Sequence, residues 1–388
     1  MPLPTIADLK LQRGQRVLLR LDVNVPLVKG CVANAYRLER SLFTIKALRK
    51  KKAAIIIIGH LGQPSGKRLA VASLKPIAAW FSHKLGRSVP LYDPLTKPKD
   101  FDLIQDMKPG SVAMLENLRF YPGEESNDVN FASALACLGD AYVNDAFGVC
   151  HRANASVDRL ACLLPAAAGV LLHNEVKALE KVTVNPQRPL VAVVGGAKLS
   201  SKLPLLKQLL THCDRVLVGG AMANTLLAAM GHAVGASAIE KKLLPQLKKL
   251  VRNHKLLLPI DVVSLCRNKE CRVARVGHTG KRDINNDIGP MTRQLFSERI
   301  AWAKIVVWNG PLGLFEQPEF QPGTFKLARV IAGSRAYTVA GGGETVQAIE
   351  QLNLSKKFSF ISTGGGAMLE FLAGEKLPGL KALGYYKK

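Results

Sequence analysis

The chain has 388 residues, of which 48% are hydrophobic and 21% charged, and its 54 Lys and Arg against 29 Asp and Glu leave a net charge of +25. The apolar content excludes a disordered chain, and no apolar run approaches the roughly 18 residues that a membrane-spanning helix needs. At roughly 100–200 residues a domain, the length predicts two domains. The charge favours an anionic partner, which leaves nucleic acid, an anionic membrane and small anionic substrates open.

The cysteines and the N-terminus indicate a reducing compartment. Seven cysteines are scattered along the chain without a C-x-x-C pair, so neither a disulfide framework nor a zinc site is expected. The first residues, MPLP, have neither the basic nor the apolar segment of a secretory signal. We therefore expect a cytoplasmic protein with reduced thiols and no membrane association.

One pattern recurs about ten times along the chain. It consists of a short apolar run, then glycine or polar residues, and then a helix-like stretch. The runs start at Val17, Ala54, Val112, Asp140, Leu190, Val216, Leu257, Ile305, Tyr337 and Phe358. Continuous rather than alternating apolar residues are typical of strands buried on both faces. Alternation of strand and helix predicts an α/β fold, and ten strands fit two doubly wound parallel-sheet, Rossmann-like domains better than one.

The composition changes near the middle of the chain. Segment 169–182 is helix-like, and Pro186 prevents the helix from continuing. The chain has 11 glycines before residue 183 and 22 from there on, which suggests two different kinds of ligand site. The predicted parts are a first domain over 1–168, an interdomain helix over 169–182 and a second domain over 183–370.

Polar and cationic side chains stand at the carboxyl ends of the predicted strands in the first half. They are Asp22, Asn24, His60, Arg119, Asn144 with Asp145, and Arg152, while Arg37 lies between the first two strands. Ligands of open α/β sheets bind beyond these strand ends, and the planar guanidinium of arginine binds carboxylate or phosphate through two hydrogen bonds. The set predicts a pocket for a small ligand with several negative charges. The alternative for any single arginine is a solvated side chain or one paired with a nearby acid.

The strand ends of the second half carry glycine clusters instead. These are Gly195-Gly196, Gly219-Gly220, Asn309-Gly310, Gly341–Gly343 and Gly364–Gly366. Glycine lets the backbone approach a ligand closely, and the helix that follows presents free N–H groups to phosphate. Together with Lys198 and Lys202 the clusters predict a polyphosphate or nucleotide site, although one such turn alone is usually only geometry. Neither a Walker A loop nor a G-x-G-x-x-G motif is present, which weighs against a P-loop ATPase and a dinucleotide-dependent dehydrogenase.

Acidic residues beside the glycine turns are candidate magnesium ligands. Glu344 directly follows Gly341–Gly343, and Glu316 follows the turn that contains Gly310. Magnesium in phosphate sites takes one or two carboxylates. Glu344 fits this role, although an acid at a helix start also fits the helix dipole alone.

An anion site in one domain and a nucleotide site in the other predict a two-domain small-molecule kinase that closes to exclude water.

Ten motifs, in order, cover nearly the whole chain. They are RVLLRLDVNVPL (16–27), GHLGQP (59–64), LENLRFYPGEE (115–125), YVNDAFGVCHRANAS (142–156), VAVVGGAKLSSK (191–202), GGAMANT (219–225), DIGP (287–290), VVWNGPLGLFE (306–316), AGGGET (340–345) and STGGGAMLEFLAG (362–374). With these motifs the chain closely resembles the phosphoglycerate kinase family. The resemblance implies reversible, magnesium-dependent phosphoryl transfer between 1,3-bisphosphoglycerate and ADP, giving 3-phosphoglycerate and ATP in glycolysis and gluconeogenesis, by hinge closure of two domains.

The resemblance also implies roles for particular residues. The phosphoglycerate-binding positions of the N-terminal domain are Asp22, Asn24, Arg37, His60, Gln63, Arg119 and Arg152. The nucleotide-binding positions of the C-terminal domain are Lys198, Lys202, Asn309, Glu316, Gly342, Gly343, Glu344 and Thr345. Glu344 would hold magnesium, Arg37 and Lys202 would flank the transferring phosphoryl group, and Gly365 would add backbone donors at a helix N-terminus. Residues 371–388 are expected to return to the N-terminal domain.

Two positions depart from the family pattern. Gln63 stands where the family usually has arginine, and Glu344 stands where it commonly has aspartate. A charged hydrogen bond contributes about 1.5–3 kcal/mol and a neutral one about 0.5–1.5 kcal/mol, so Gln63 predicts about tenfold weaker phosphoglycerate binding unless Lys67 or Arg68 supplies the charge. The extra methylene of Glu344 still allows it to reach magnesium, directly or through water.

Two other functions stay open from the residues alone. The most basic stretch, 241–282, has 12 Lys and Arg against 2 acids. It contains no Phe, Trp or Tyr to stack on bases, and its lysines among leucines fit an amphipathic surface helix. No specific nucleic-acid partner is therefore expected, while incidental salt-sensitive binding stays open. The second alternative is a related kinase that acts on another small acid. A monomer is the expected state.

Overall fold

The computed structural model describes residues 3–386, which form two compact units. The first unit extends to Val176 and takes up the chain again at Lys376, and the second comprises Lys177–Glu375. Each unit contains a six-stranded parallel sheet whose strands alternate with helices. The prediction of two doubly wound α/β domains is therefore confirmed.

The elements are short and alternate along the chain. The strands are β1 (Arg16–Arg20), β2 (Leu27–Val28), β3 (Cys31–Val32), β4 (Ala54–Ile58), β5 (Leu91–Tyr92), β6 (Val112–Leu115), β7 (Ala141–Asn144), β8 (Ala166–Ala168), β9 (Leu190–Val194), β10 (Arg215–Val218), β11 (Leu256–Leu257), β12 (Asp261–Leu265), β13 (Cys271–Arg275), β14 (Ile284–Ile288), β15 (Ile305–Asn309), β16 (Tyr337–Gly341) and β17 (Phe360–Ile361). The α-helices are α1 (Tyr36–Lys50), α2 (Lys75–Leu85), α3 (Pro98–Gln105), α4 (Pro122–Glu125), α5 (Val129–Ala136), α6 (Leu160–Leu163), α7 (Val170–Thr183), α8 (Leu203–His212), α9 (Ala221–Ala229), α10 (Leu244–Leu247), α11 (Pro290–Trp302), α12 (Pro322–Gly333), α13 (Gly343–Gln351), α14 (Gly365–Leu372) and α15 (Pro378–Ala382).

The sheet of the first unit has the order β5-β6-β4-β1-β7-β8. Strand β4 is the run AIIII and is buried at every position, because helices that cover both faces of a parallel sheet remove both from water. Since the strands run in one direction, their carboxyl ends share one edge. At that edge Asp22 follows β1, His60 follows β4, Arg119 follows β6 and Arg152 follows β7.

The sheet of the second unit has the order β11-β10-β9-β15-β16-β17. Its central strands β9 (LVAVV) and β15 (IVVWN) are buried throughout and pair in parallel. The glycine turns after β9, β15, β16 and β17 follow four neighbouring strands, so the parallel arrangement brings them to one edge. The same rule of strand polarity therefore positions both candidate sites.

Some strands were missed or assigned wrongly from the sequence. The edge strands β5 and β8 have only two and three residues, and β8 consists of alanine without a β-branched side chain. The predicted strand from Leu257 is two strands, because Pro259 lacks the amide donor that a continuous ladder needs. Its first part is β11 of the parallel sheet, and its second part, β12, is the centre of an antiparallel sheet with the order β13-β12-β14.

The basic stretch 241–282 is only partly helical. Its start forms three short helical turns over 241–243, 244–247 and 250–252, because Pro245 cannot donate the amide hydrogen bond of a continuous helix. The lysines of these turns are exposed and Leu247 is buried, so the predicted surface position is correct and the single helix is not. The rest of the stretch contains β11, β12 and β13.

Helix α7 belongs to both units, because the division between Val176 and Lys177 falls inside it. The C-terminal segment returns to the first unit from Lys376, later than the predicted residue 371, since α14 continues through Leu372. In the returned segment the Gly379 amide donates to a backbone carbonyl of the first unit at 2.9 Å. Within residues 3–386, no helix combines the length and the apolar character needed to cross a membrane.

Candidate active site

The turn after β1 holds Arg37 between two polar residues. Arg37 Nη1 lies 3.2 Å from Asp22 Oδ2 and donates to the Asn24 carbonyl oxygen at 3.0 Å. The Asn24 side chain accepts from the Gly62 amide at 3.0 Å, which ties this turn to the one after β4. Asp22 is buried and Arg37 is half-buried. The guanidinium is thus fixed on one side while part of its surface stays open to a ligand.

His60, the residue that follows the turn out of β4, is buried among arginines. Arg20 Nη2 lies 3.0 Å from His60 Nδ1, and because a guanidinium only donates, Nδ1 accepts and the ring proton lies on Nε2. Burial lowers the pKa of His60 well below 6.5. The positive charges that lower it further are those of Arg20, Arg119, Arg152 and Arg37. His60 is therefore a neutral hydrogen-bond donor at neutral pH.

Arg20 belongs to this cluster and was missed from the sequence. Its side chain is fully buried, and its Nε donates to Ser156 Oγ at 2.9 Å, while Nη1 donates to the Leu21 carbonyl oxygen. Ser156 donates through Oγ to Glu124 Oε1 at 2.6 Å and through its amide to Oε2 at 2.9 Å. A buried charge requires such partners. The available signal was a charged residue inside the apolar run VLLRL.

Arg119 lies in a short 3-10 turn after β6. Asn117 caps this turn by accepting from the Arg119 amide at 3.0 Å, and Arg119 Nη1 donates to the Gly62 carbonyl oxygen at 2.8 Å. Gln63 is the next residue along and is exposed, whereas Arg152 is half-buried. The predicted phosphoglycerate-binding residues therefore lie on one edge of the first sheet, several of them joined through Gly62.

Asn144 and Asp145 also follow a strand of this sheet but stabilise the local backbone. Asn144 Oδ1 accepts from the amide two residues on at 3.0 Å. Asp145 Oδ1 accepts from the amides of Leu171 at 2.9 Å and Leu172 at 3.1 Å, in the first turn of α7. Burial raises the pKa of Asp145 to about 7. The structure thus assigns this pair to turn and helix capping.

In the second unit the predicted residues converge on Lys202. Its Nζ donates to the Gly195 carbonyl oxygen at 2.6 Å and to Asn309 Oδ1 at 2.8 Å. Asn309 Nδ2 donates onward to the Gly341 carbonyl oxygen at 2.8 Å. Burial lowers the pKa of Lys202 to about 8, and the negative charge of Glu344 opposes that shift. Lys202 is therefore mostly charged at neutral pH and loses its charge under mildly basic conditions.

Two glycines beside Lys202 leave no room for a side chain. Gly310 has φ +91° and Gly342 has φ +98°, a region that disfavours other residues. A Cβ on Gly310 would lie 2.6 Å from Lys202 Nζ, and one on Gly342 would lie 2.9 Å from Asn309 Nδ2. The Gly310 amide donates to Thr345 Oγ1 at 2.7 Å. The backbone around the lysine is therefore sterically fixed.

The remaining predicted positions are exposed, except for Gly365, which is half-buried. Gly343 and Glu344 lie in the exposed first turn of α13, and Gly365 begins α14 with φ +37°. Both helix starts present backbone donors that suit phosphate. Lys198 and Glu316 are exposed. No hydrogen bond in the described part of the chain joins either of them to Lys202.

Comparison with known proteins agrees with this arrangement. A family model described as phosphoglycerate kinase matches residues 6–375. The phosphoglycerate kinase of Thermomicrobium roseum is 42% identical over 387 residues, and the match covers 98% of each chain. The solved structure of phosphoglycerate kinase from Coxiella burnetii covers both chains completely, with a TM-score of 0.88 and 39% identity. That of the Pyrococcus horikoshii enzyme also covers both, with a TM-score of 0.87 and 29% identity. The chain therefore belongs to the phosphoglycerate kinase family.

Proposed function

We propose that this chain catalyses reversible phosphoryl transfer between 1,3-bisphosphoglycerate and ADP, giving 3-phosphoglycerate and ATP, as a glycolytic and gluconeogenic enzyme. The observation that carries the proposal is the pair of cationic sites, each at the carboxyl edge of its own sheet. One is the arginine cluster around neutral His60. The other is Lys202, fixed by Asn309 among glycine turns.

The arginine cluster suits phosphoglycerate, which carries a carboxylate and a phosphate. Arg37, Arg119 and Arg152 offer planar donors for both groups. His60 adds a neutral Nε2–H donor, and Asp22 with Asn24 holds Arg37 in place. Gln63, exposed on the same loop, adds an uncharged donor.

The second site suits the phosphates of a nucleotide. The starts of α13 and α14, at Gly343 and Gly365, supply backbone donors, and Lys198 and Glu316 are the exposed residues at the rim. In the transfer step Lys202 and Arg37 stabilise the negative charge on the equatorial oxygens of the phosphoryl group. Because direct transfer requires the two substrates to meet, the proposal includes closure of the two units, which also excludes water.

The second site also fits magnesium held together with phosphates. Within residues 3–386, no group of three or more His, Cys, Asp and Glu side chains is placed to hold a metal ion by itself. Magnesium at phosphate-transfer sites is held by one or two carboxylates and the substrate phosphates, and the exposed Glu344 matches that mode. Bound magnesium supplies neutralisation of phosphate charge.

We also propose that the protein acts as a cytoplasmic monomer without a membrane or a specific nucleic-acid partner. All seven cysteines are free thiols, which suits a reducing compartment. Size-exclusion chromatography with light scattering tests the monomer, for which we expect a mass near 42.0 kDa.

One assay tests the proposed reaction: ATP-dependent phosphorylation of 3-phosphoglycerate by the purified protein, with and without magnesium. We expect turnover that requires magnesium. Glycerate and other small acids, assayed beside it, separate this reaction from that of a related kinase, because the arginines fix the spacing of the anionic groups. Folded protein that does not turn over 3-phosphoglycerate contradicts the proposal.

A further inference from the structure

A surface cavity of about 650 Å³ in the second unit has a strongly basic lining. The cationic side chains that line it are Lys207, Lys249, Arg252 and Lys255, and His254 lies beside them. None of the described residues that line the cavity is an aspartate or a glutamate. We call this the basic cavity. Its volume is in the range of ligand pockets.

The basic cavity lies at the opposite edge of the sheet from Lys202. Helix α8 begins directly after Lys202 and runs back along the sheet, and the Asp214 amide that follows it donates to the Leu190 carbonyl at the start of β9, at 2.9 Å. Lys207 is on α8, and the Lys255 carbonyl accepts from the Val216 amide near the start of β10. The residues of α8 that line the cavity begin at Lys207, about 7.5 Å along the helix from Lys202, and continue to Thr211 in its last turn. The cavity therefore lies towards the end of α8 that is far from the candidate active site.

The charges of the basic cavity have no acidic partners. Among residues 3–386, no ion pair joins its four cationic side chains to a carboxylate. Lysines at the end of a helix can complement the helix dipole. However, Lys207 is in the middle of α8, and Lys249 and Arg252 lie in a different segment of the chain. Lys255 does complement a helix end, because its Nζ donates to the Thr211 carbonyl oxygen in the last turn of α8 at 3.3 Å. The helix dipole does not account for the other three cations.

We propose that the basic cavity is a second anion site, which binds a chain of phosphate groups independently of sequence. Several cations around one cavity match a polyanion better than a single phosphate. None of the described residues that line it is aromatic, so the cavity offers no stacking platform for bases. Inorganic polyphosphate and the backbone of RNA share the chemistry that it recognises. This site does not depend on the proposed kinase reaction.

The test measures binding of labelled short-chain polyphosphate and of a short poly(U) oligonucleotide over a series of salt concentrations. The variant combines Lys249→Gln and Arg252→Gln. The control combines Lys356→Gln and Lys357→Gln, two exposed lysines of a surface turn that lose the same charge. Losing two phosphate contacts should weaken binding about tenfold and reduce the slope of log affinity against log salt by about 1.4. The control should match the unchanged protein.

The outcomes separate the site from its alternatives. Binding of only one probe supports the site and shows whether it prefers inorganic polyphosphate or the backbone of RNA. Equal losses in variant and control, no loss in the variant, or no binding of either probe overturn it. Displacement of the probe by 3-phosphoglycerate or ADP also overturns it, because the probe then occupies the candidate active site. If the double variant does not fold, the single variant Lys207→Gln tests the site instead. It should reduce the slope of log affinity against log salt by about 0.7, half the change expected for two lost contacts.

Discussion

The two units differ in how they offer groups to an anionic ligand. The first unit does so through cationic side chains, and the second mainly through backbone groups. Around His60 the arginines are fixed by hydrogen bonds to carbonyls, to Asp22 and to the Ser156–Glu124 pair. Around Lys202 the fixing partners are one amide side chain and glycine turns without space for a Cβ. The first arrangement is therefore sensitive to loss of charge and hydrogen bonds, and the second to added volume. Substitutions and changes of pH should therefore affect the two sites differently.

Lys202→Ala should lower turnover at least 100-fold, the effect seen when a preorganised donor to transition-state charge is removed. Its matched control is Lys198→Ala, which removes an exposed lysine from the same loop and should cost much less. Steady-state kinetics measure both, with circular dichroism to verify the fold. Near-normal turnover of Lys202→Ala refutes the role assigned to that lysine.

Gly310→Ala should destabilise the second unit and displace Lys202, since the added methyl group would lie 2.2 Å from the Gly195 carbonyl oxygen and 2.6 Å from Lys202 Nζ. Gly231→Ala is the control, because Gly231 has the same φ of +91° but nothing within 4 Å of its Cβ position. We expect the free energy of unfolding to fall by about 1–3 kcal/mol more at Gly310 than at Gly231. Chemical denaturation measures both variants. An equal loss of unfolding free energy in the two would show that backbone strain, and not the contact with neighbouring atoms, destabilises Gly310→Ala.

The two sites should respond differently to pH. The pKa of Lys202 is about 8 in the folded chain and 10.5 in an ordinary lysine, so its charge is present below pH 8 and is lost above it. ADP affinity should fall about tenfold from pH 7.5 to pH 9. His60 is already neutral, so affinity for 3-phosphoglycerate should stay nearly constant over this range.

Unfolding provides the control for this pH effect. Between pH 8 and 10.5 the unfolded chain keeps the proton that folded Lys202 has released, so the contribution of this residue to the free energy of unfolding rises with pH. ADP binding and stability should therefore change in opposite directions. Calorimetric titrations with both ligands measure the affinities, and a parallel fall for both ligands contradicts the assignment.

Gln63→Arg should lower the Michaelis constant for 3-phosphoglycerate by up to about tenfold, the difference between a neutral and a charged hydrogen bond. Arg68 does not already supply that charge, because it lies 2.6 Å from Asp93 and donates to the Tyr121 hydroxyl at 2.8 Å. Gln63→Lys provides a second cation without the planar donors of arginine. An unchanged Michaelis constant in both variants means that Gln63 does not contact the substrate.

The α/β class, the presence of two units and most residues at the strand ends are predictable from the amino-acid sequence. Buried parallel strands require apolar runs, and the connections at their carboxyl ends require glycine or polar residues, so both leave a local pattern. Strand β8 left no such pattern, because AAA resembles a helix or a linker as much as a strand. The sequence also did not predict that the run from Leu257 is divided between two sheets. The direction in which the chain continues after Pro259 depends on which strands are available for pairing in the folded protein.

Which groups act together depends on how the chain folds in three dimensions. Arg20 meets Ser156 across 136 positions of sequence, and Asp145, which resembles a site residue, instead caps α7. Burial lowers the pKa of Lys202, and one of its hydrogen-bond partners, Asn309, lies 107 positions away in the chain. Hydrogen bonding and desolvation depend on distances in space, whereas a sequence pattern records neighbours along the chain. For that reason the residue types were predictable, and their partners, tautomers and charge states were not.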